Sequence, residues 1–535
     1  MSVRQEPAAG GEGDQPPPVS ADEPPVGATG DLSPELLVTY GRQLVEWIAD
    51  YLASAEQYPV LSRVKPGDVA AALPTSPPAT GEPLSEIIAD FERAIVPGLT
   101  HWNHPGFFAY FANSAPVPGI LAELLAAALN VNAMLWRTSP AATELELRAT
   151  DWLRQMMGLA ADWQGHINDT ASISTMLALA AAREAARLDV RERGMAGRSD
   201  LPALRVYCSE QAHSSVDKGA ITLGIGHENV VHVPVDEQFR MRPDVLRARI
   251  VEDIARGMHP LAVVATVGTT STTSIDPVRE IEEVLRELWP GAEQESAQNP
   301  THPTRDVGAA GAVGAARAPG SVRPWLHIDA AYGGSAAVVP SMRHVLDGAE
   351  LADSLVVNPH KWLFTPVDCS VLYVKKPEVL TRAFSLVPEY LTSRQHSDAV
   401  NLMDYGVQLG RRFRALKLWM VIRAFGAEGL ASRIEAHCTL AREFAGWVRA
   451  ERGWEVMAPV PFSTVCYRYA PNGTSEIERE RINAAILERV NASGKAFISH
   501  TKLNGAYALR LAIGNIRTER RHVEEAWNVL RAAAR

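Results

Sequence analysis

Ser354-Leu355-Val356-Val357-Asn358-Pro359-His360-Lys361-Trp362 is the stretch around which the chain is organised. Leu355–Val357 has the β-branched, apolar content of a buried strand, and Asn358-Pro359 closes it with a turn. A histidine and a lysine follow, and then Trp362-Leu363-Phe364 as an apolar cover. Lysines are almost always solvated surface charges. At a buried strand end walled by Trp362 and Phe364, desolvation works against the ammonium form and favours an amine that attacks a carbonyl. Lys361 is therefore the candidate attachment point for an aldehyde cofactor held as a Schiff base.

Working outward, short runs rich in Val and Ile stand at Leu204–Cys208, Val230–Val235, Ala262–Val267, Trp325–Ile328 and Val371–Val374. Helical patterns lie between them, notably Thr175–Val190, Pro243–Arg256 and Glu280–Leu288. Such alternation predicts an α/β domain over residues 117–419, with a largely parallel sheet covered on both faces. In such sheets ligands bind beyond the carboxyl ends of the strands. Asp329, His360 and Lys361 all fall there. Residues 290–324 are rich in Ala, Gly, Pro and Asn where about 2–6 residues would normally connect a helix to a strand. They read as a flexible insertion. From 420 to 535 long helices (Leu430–Glu451, Ile477–Asn491) and two strands (Thr464–Tyr469, Tyr507–Ile513) predict a smaller α+β domain.

Residues 1–32 carry almost no large apolar side chains and are expected to be disordered. Ser33-Pro34-Glu35 then starts a helix, with Ser33 as N-cap and Pro34 at the first helical position. Its apolar stripe (Leu36, Leu37, Tyr40, Leu44, Trp47, Ile48, Tyr51) packs on the main body or on a partner subunit. The region 33–116 ends in an aromatic segment, Thr100–Phe111, that reads as a core loop or as a wall around something flat.

With 46% hydrophobic and 21% charged residues, the 535-residue chain has the balance of a globular protein with a large core. Its net charge of −10 argues against nucleic acid or an anionic membrane as partner. No apolar run nears the roughly 20 residues of a membrane helix, and no secretory signal is visible. The four scattered cysteines suit reduced thiols in the cytoplasm. Neither they nor His101 and His104 show metal-ligand spacing, so no metal is expected.

Four features complement Lys361. Asp329, ending an apolar strand before Ala330-Ala331-Tyr332-Gly333-Gly334, suits a carboxylate that keeps a pyridine nitrogen protonated, although helix caps and metal ligands occupy such positions too. Asp169-Thr170-Ala171-Ser172 opens a helix and offers either a phosphate site or a plain N-cap. His213-Ser214-Ser215 places an imidazole to stack on a ring or to serve structurally. Gly268-Thr269-Thr270-Ser271-Thr272-Thr273 offers hydroxyls to a ring oxygen or to its own backbone.

Together with Thr100–Phe111, Val267-Gly268-Thr269-Thr270, His327–Tyr332 and Gly410-Arg411-Arg412-Phe413-Arg414, these motifs make the chain from about Pro97 onward resemble the pyridoxal-phosphate-dependent group II decarboxylases, most of all their aromatic-L-amino-acid branch. The resemblance implies a fold-type I homodimer whose N-terminal arm embraces its partner. It implies pyridoxal 5'-phosphate bound by Lys361 as Schiff base, Asp329 at the ring nitrogen and His213 on the ring. Thr270 and Ala331 would line the cofactor, and Ala171, Ser172, Asn358 and His360 would hold the phosphate. Tyr390 would be the mobile-loop proton donor, with Lys361 and His213 the other catalytic residues. Trp102, Tyr110, Phe111 and Asn113 would face the substrate. The implied reaction is decarboxylation of an aromatic L-amino acid to its amine. Asn113, Asn132, Met134 and Val367 depart from the aromatic enzymes, which keeps glutamate, 2,4-diaminobutyrate or a sulfinate, and an aldehyde-forming outcome, as alternatives. A non-catalytic binding protein is the remote one, since lysine, acid and loop tyrosine are all present.

Overall fold

The computed structural model describes residues 31–290, 322–386 and 399–535. It divides into two compact units, Met1–His104 and Pro105–Arg535. Tyr390, most of the N-terminal tail and most of the 290–324 insertion lie outside the described residues.

In the first unit the helix Pro34–Ala53 begins after Ser33, with proline at its first turn. Trp47 stacks on Tyr51 at 5.4 Å, and the Tyr51 hydroxyl meets Nδ1 of His101 at 3.0 Å.

The second unit carries a seven-stranded sheet. Its strands are β1 (Gln164–Asn168), β2 (Leu204–Ser209), β3 (Val230–Val233), β4 (His259–Thr266), β5 (Trp325–Asp329), β6 (Ser354–Val357) and β7 (Ser370–Val374). They lie in the order β1-β7-β6-β5-β4-β2-β3. β2 to β6 pair in parallel, while β7 runs against both β6 and β1. Six strands therefore point one way and end along one edge. Every residue of β4 to β7 is buried, which explains why their sequences read as continuous apolar runs rather than alternating ones.

The second, four-stranded sheet has the order β10-β11-β9-β8, from β8 (Trp454–Val456), β9 (Thr464–Tyr469), β10 (Ser499–Leu503) and β11 (Ala506–Ala512). Its core gathers Phe444, Trp454, Tyr467 and Trp527, and Phe108 joins them from the aromatic segment. The Phe108 backbone bonds to both Phe497 and Ala512.

Several elements differ from expectation. β1 was not foreseen, because Gln-Gly-His-Ile-Asn lacks an apolar run. The helix predicted over 175–190 instead spans Ala171–Ala185, so its N-terminus lies farther upstream. The helix expected at Leu430 is the second half of Ala415–Ala450, bent at Gly426, whose φ of 66° lies in the left-handed region.

Candidate active site

The turn after β6 is where the opening motif folds. Lys361 does not sit at a strand end, as expected, but in a helical turn, Pro359–Trp362, capped by Asn358 and started by a proline. The Asn358 N–H donates to the Ala331 carbonyl (3.1 Å), tying this turn to the loop after β5. Trp362 is fully buried and donates from Nε1 to Nδ1 of His437 at 3.1 Å. The turn is thus held on both sides of the lysine.

The strand ends enclose a cavity of about 210 Å³ lined by Phe111, Thr170, Ala171, Ser172, His213, Thr266, Gly268, Thr270, Asp329, Ala331, Tyr332, Asn358, His360 and Lys361. All nine residues expected to hold the cofactor are among them. Gly268 and Gly333 make the close approach possible. Gly268 has φ +91°, and a Cβ there would stand 2.8 Å from the Gly333 nitrogen, while one on Gly333 would stand 2.5 Å from the Val267 oxygen. Ala171 and Ala331 pack with Val356 as a small apolar floor.

Lys361 is only half-buried by surface, because it opens onto the cavity, yet protein surrounds it. Desolvation lowers its pKa, Asp329 works in the opposite direction, and Arg510 adds to the lowering. Its Nζ lies 5.2 Å from the centre of the Phe111 ring. Asp329 is the last residue of β5, and its Oδ1 accepts the Ala331 N–H at 3.1 Å. Behind it, His327 is buried with its pKa pushed down to about 4 by desolvation.

His213 follows β2 and is exposed on its cavity side, although enough protein rings it that desolvation lowers its pKa. Its Nδ1 accepts the Ser215 N–H at 3.1 Å, so the neutral ring carries its proton on Nε2. His360 is buried, and desolvation followed by Lys361 pushes its pKa down to about 3. It too is a neutral imidazole at pH 7, with Nδ1 accepting the Cys369 N–H at 2.9 Å.

In the threonine-rich loop, the local reading holds for most members. Thr269, Thr272 and Ser274 bond among themselves, and of the loop's hydroxyls only that of Thr270 belongs to a cavity-lining residue. Of the expected substrate residues, Phe111 alone lines it. Tyr110 is exposed, Asn113 is half-buried, and Trp102 belongs to the first unit.

The cavity wall beyond Phe111 is a three-ring stack. Phe111 lies on Tyr332 at 3.8 Å, and Tyr332 on Trp362 at 4.7 Å. On Phe111 also rests a residue that sequence reasoning missed. Arg510, in β11, is 3% exposed and sits 4.7 Å from the ring centre. It donates to the carbonyls of Tyr110 and Ser271, its Nη2 has no partner, and no carboxylate pairs with it among the described residues. A lone charge inside the apolar run Ala506–Ala512 was the signal available.

A family model described as "Pyridoxal-dependent decarboxylase conserved domain" matches residues 66–470. The chain belongs to that family. It is 38% identical to a phenylacetaldehyde synthase of a Rosa hybrid cultivar over 513 residues, covering 93% of this chain and 94% of that one. It is 37% identical to tryptophan decarboxylase 2 of Oryza sativa subsp. japonica, covering 94% and 95%. The crystal structure of Oryza sativa TDC with PLP and tryptamine superposes with a TM-score of 0.85 at 34% identity, covering 95% of this chain and 99% of that one.

The fold is therefore fold-type I, and this pyridoxal-dependent decarboxylase is a carboxy-lyase that uses pyridoxal phosphate. Its residues fit that group on structural grounds. Oδ1 of Asn358 and Oγ1 of Thr266, both buried, face the problem of having no hydrogen-bond partner among the described residues. Buried polar atoms rarely stay unsatisfied, and both residues line the cavity. The Ala171–Ala185 helix directs its free N-terminal amides there, as an anion requires.

Proposed function

We propose that this decarboxylase converts an aromatic L-amino acid to its amine and CO2. The observation that carries the reading is a buried Arg510 whose Nη2 has no partner among the described residues, set against an aromatic wall beside Lys361. A guanidinium with a free Nη2 suits a carboxylate, and the Phe111 ring in the cavity lining suits an aromatic side chain. The likeness to tryptophan decarboxylase 2 supports the same substrate class.

In this reading Lys361 is the Schiff-base residue, and its lowered pKa favours the neutral amine that attacks the aldehyde. Ala171, Ser172, Asn358 and His360 hold the phosphate, while Thr270, Ala331 and His213 pack around the ring. Asp329 holds a proton on the ring nitrogen. When bound, pyridoxal phosphate supplies the sink for the electron pair left at Cα as the carbon–carbon bond breaks. Tyr390 donates a proton to Cα, His213 assists, and this completes the amine. Tyr110 and Asn113 complete the substrate pocket together with Phe111.

We infer a homodimer as well. Val117, Leu121, Leu124, Leu125 and Leu129 are all more than two-fifths exposed and share one face of the Val117–Leu129 helix. Such a stripe is uncommon on a monomer. The four cysteines are free and buried, which suits the cytoplasm, and no described helix is long and apolar enough to cross a membrane.

The test is to supply pyridoxal phosphate and a panel of amino acids, then identify products by mass spectrometry. Aromatic amines with CO2 are expected, and turnover confined to glutamate or diaminobutyrate would overturn the substrate class. Because a phenylacetaldehyde synthase is equally similar in sequence, Tyr390→Phe is informative. It should shift product from amine toward aldehyde, and unchanged amine output would remove Tyr390 from the proton-donating role.

A further inference from the structure

Away from the cavity, three side chains converge that the reaction does not use. Asp217 lies in the first turn of the Ser215–Thr222 helix, His227 in the turn His227–Asn229, and His232 on β3 at the edge of the large sheet. The expectation of no metal rested on the cysteines, His101 and His104, and these three residues, far apart in sequence, did not enter it. Folding brings Nε2 of His232 to 3.0 Å and Nε2 of His227 to 3.3 Å from the same oxygen, Oδ1 of Asp217. One ligand atom from each residue lies within 4.8 Å of the other two.

These separations have a chemical meaning. An ion bound tetrahedrally by nitrogen and oxygen at about 2.0–2.1 Å keeps its ligand atoms roughly 3.3 Å apart. The cluster already stands at that scale, so little movement is needed to receive one. Both imidazoles turn the same nitrogen toward one carboxylate, and their rings stand edge to face, 6.4 Å between centres. The Asp217 side chain is 19% exposed, and those of His227 and His232 are 68% and 41% exposed. The carboxylate thus forms the floor of an open site, with room for water to complete the coordination.

We propose that Asp217, His227 and His232 bind a divalent first-row transition metal of the zinc class. Two neutral imidazoles select zinc, nickel or copper over magnesium or calcium, which prefer oxygen ligands. The ion would join the edge strand β3 to the helix that follows His213. It is structural in this role, since none of its ligands lines the cavity.

The experiment uses the full-length holoenzyme, stripped of metal by a chelator and titrated with Zn2+ by calorimetry. His227→Gln/His232→Gln is compared with wild type, and Asp217→Asn serves as a second variant. The visible cofactor band of each variant confirms folding. One equivalent should bind wild type, and both variants should bind at least about tenfold more weakly, since even the loss of a partner behind a ligand costs that much. Cu2+ in the same site should show hyperfine coupling to two nitrogens by electron paramagnetic resonance. No binding to wild type, equal binding by wild type and either variant, or copper coupled to fewer than two nitrogens would overturn the site.

Discussion

Two buried arginines in this protein do opposite things. Arg411, 4% exposed, donates to Glu146 at 2.7 Å and to the carbonyls of Ala133 and Ile167, while Glu146 also accepts the Ile167 N–H. Every part of that charge is answered within the chain, and it pins the segment after Gly410 to β1 and the Pro140–Met157 helix. Arg510 is equally buried but finds only two carbonyls and a ring face, with one nitrogen left over. Taking a charge out of water costs several kcal/mol unless it is compensated. The first arginine is compensated by protein, and the second, in the proposed reading, by the carboxylate of the substrate.

The sharpest attempt to break that contrast is Lys361→Ala, which removes the proposed Schiff-base residue. Decarboxylation should fall by at least about 10⁴-fold, the scale on which an enzyme loses a covalent nucleophile. The visible band of bound cofactor should vanish while far-ultraviolet circular dichroism stays unchanged. A retained band would contradict the assignment.

Arg411→Met comes next and should act on stability. It strands Glu146 as a buried carboxylate, at a cost of about 3–5 kcal/mol by urea denaturation. A loss below about 1 kcal/mol would show that the pair is not scaffolding.

Acid should expose a third class of buried group, the neutral imidazoles. His327 and His437 are depressed to about 4 and His360 to about 3, against an ordinary 6.5, mainly by desolvation. The native state therefore binds fewer protons than the unfolded chain below about pH 6.5. Stability should be fully present above that pH and fall as pH drops toward 4, by on the order of 3 kcal/mol per group. A denaturation midpoint that stays flat between about pH 7 and 5 would refute this, and His327→Gln should flatten part of the slope.

Arg510→Met should invert the Arg411 result. Stability should hold or rise, because an unpaired buried cation is replaced by a similar apolar volume. The value of kcat/KM should fall by roughly 30-fold, about 2 kcal/mol, as expected for one charged hydrogen bond. Equal losses of stability in both variants would erase the distinction. Asn358→Ala should have the smallest effect, about 1 kcal/mol in cofactor affinity, measured by titrating apoenzyme.

Much of this was legible in the sequence for a physical reason. Buried parallel strands must be apolar along their whole length, so Leu355–Val357 and Val371–Val374 stand out, and β9 was read to the residue. Asp329 and Lys361 stood out because a charged residue beyond an apolar strand is unusual, while Ala171, Ser172, Thr270 and Ala331 followed from the family resemblance. What escaped was set by pairing at long range. β1 is a strand because β7 lies beside it, and Arg510 becomes a site residue only when β11 reaches Phe111. Asp217, His227 and His232 acquire meaning only once helix and edge strand meet.

The placement of β7 has one more consequence. Residue 164 pairs with residue 374, so β1, which precedes the helix that opens at Ala171, takes its only pairing among the described residues from a strand far later in the sequence. During synthesis, then, the cavity lining is incomplete until the chain through Lys361 has been made, and the cofactor can join only after that point.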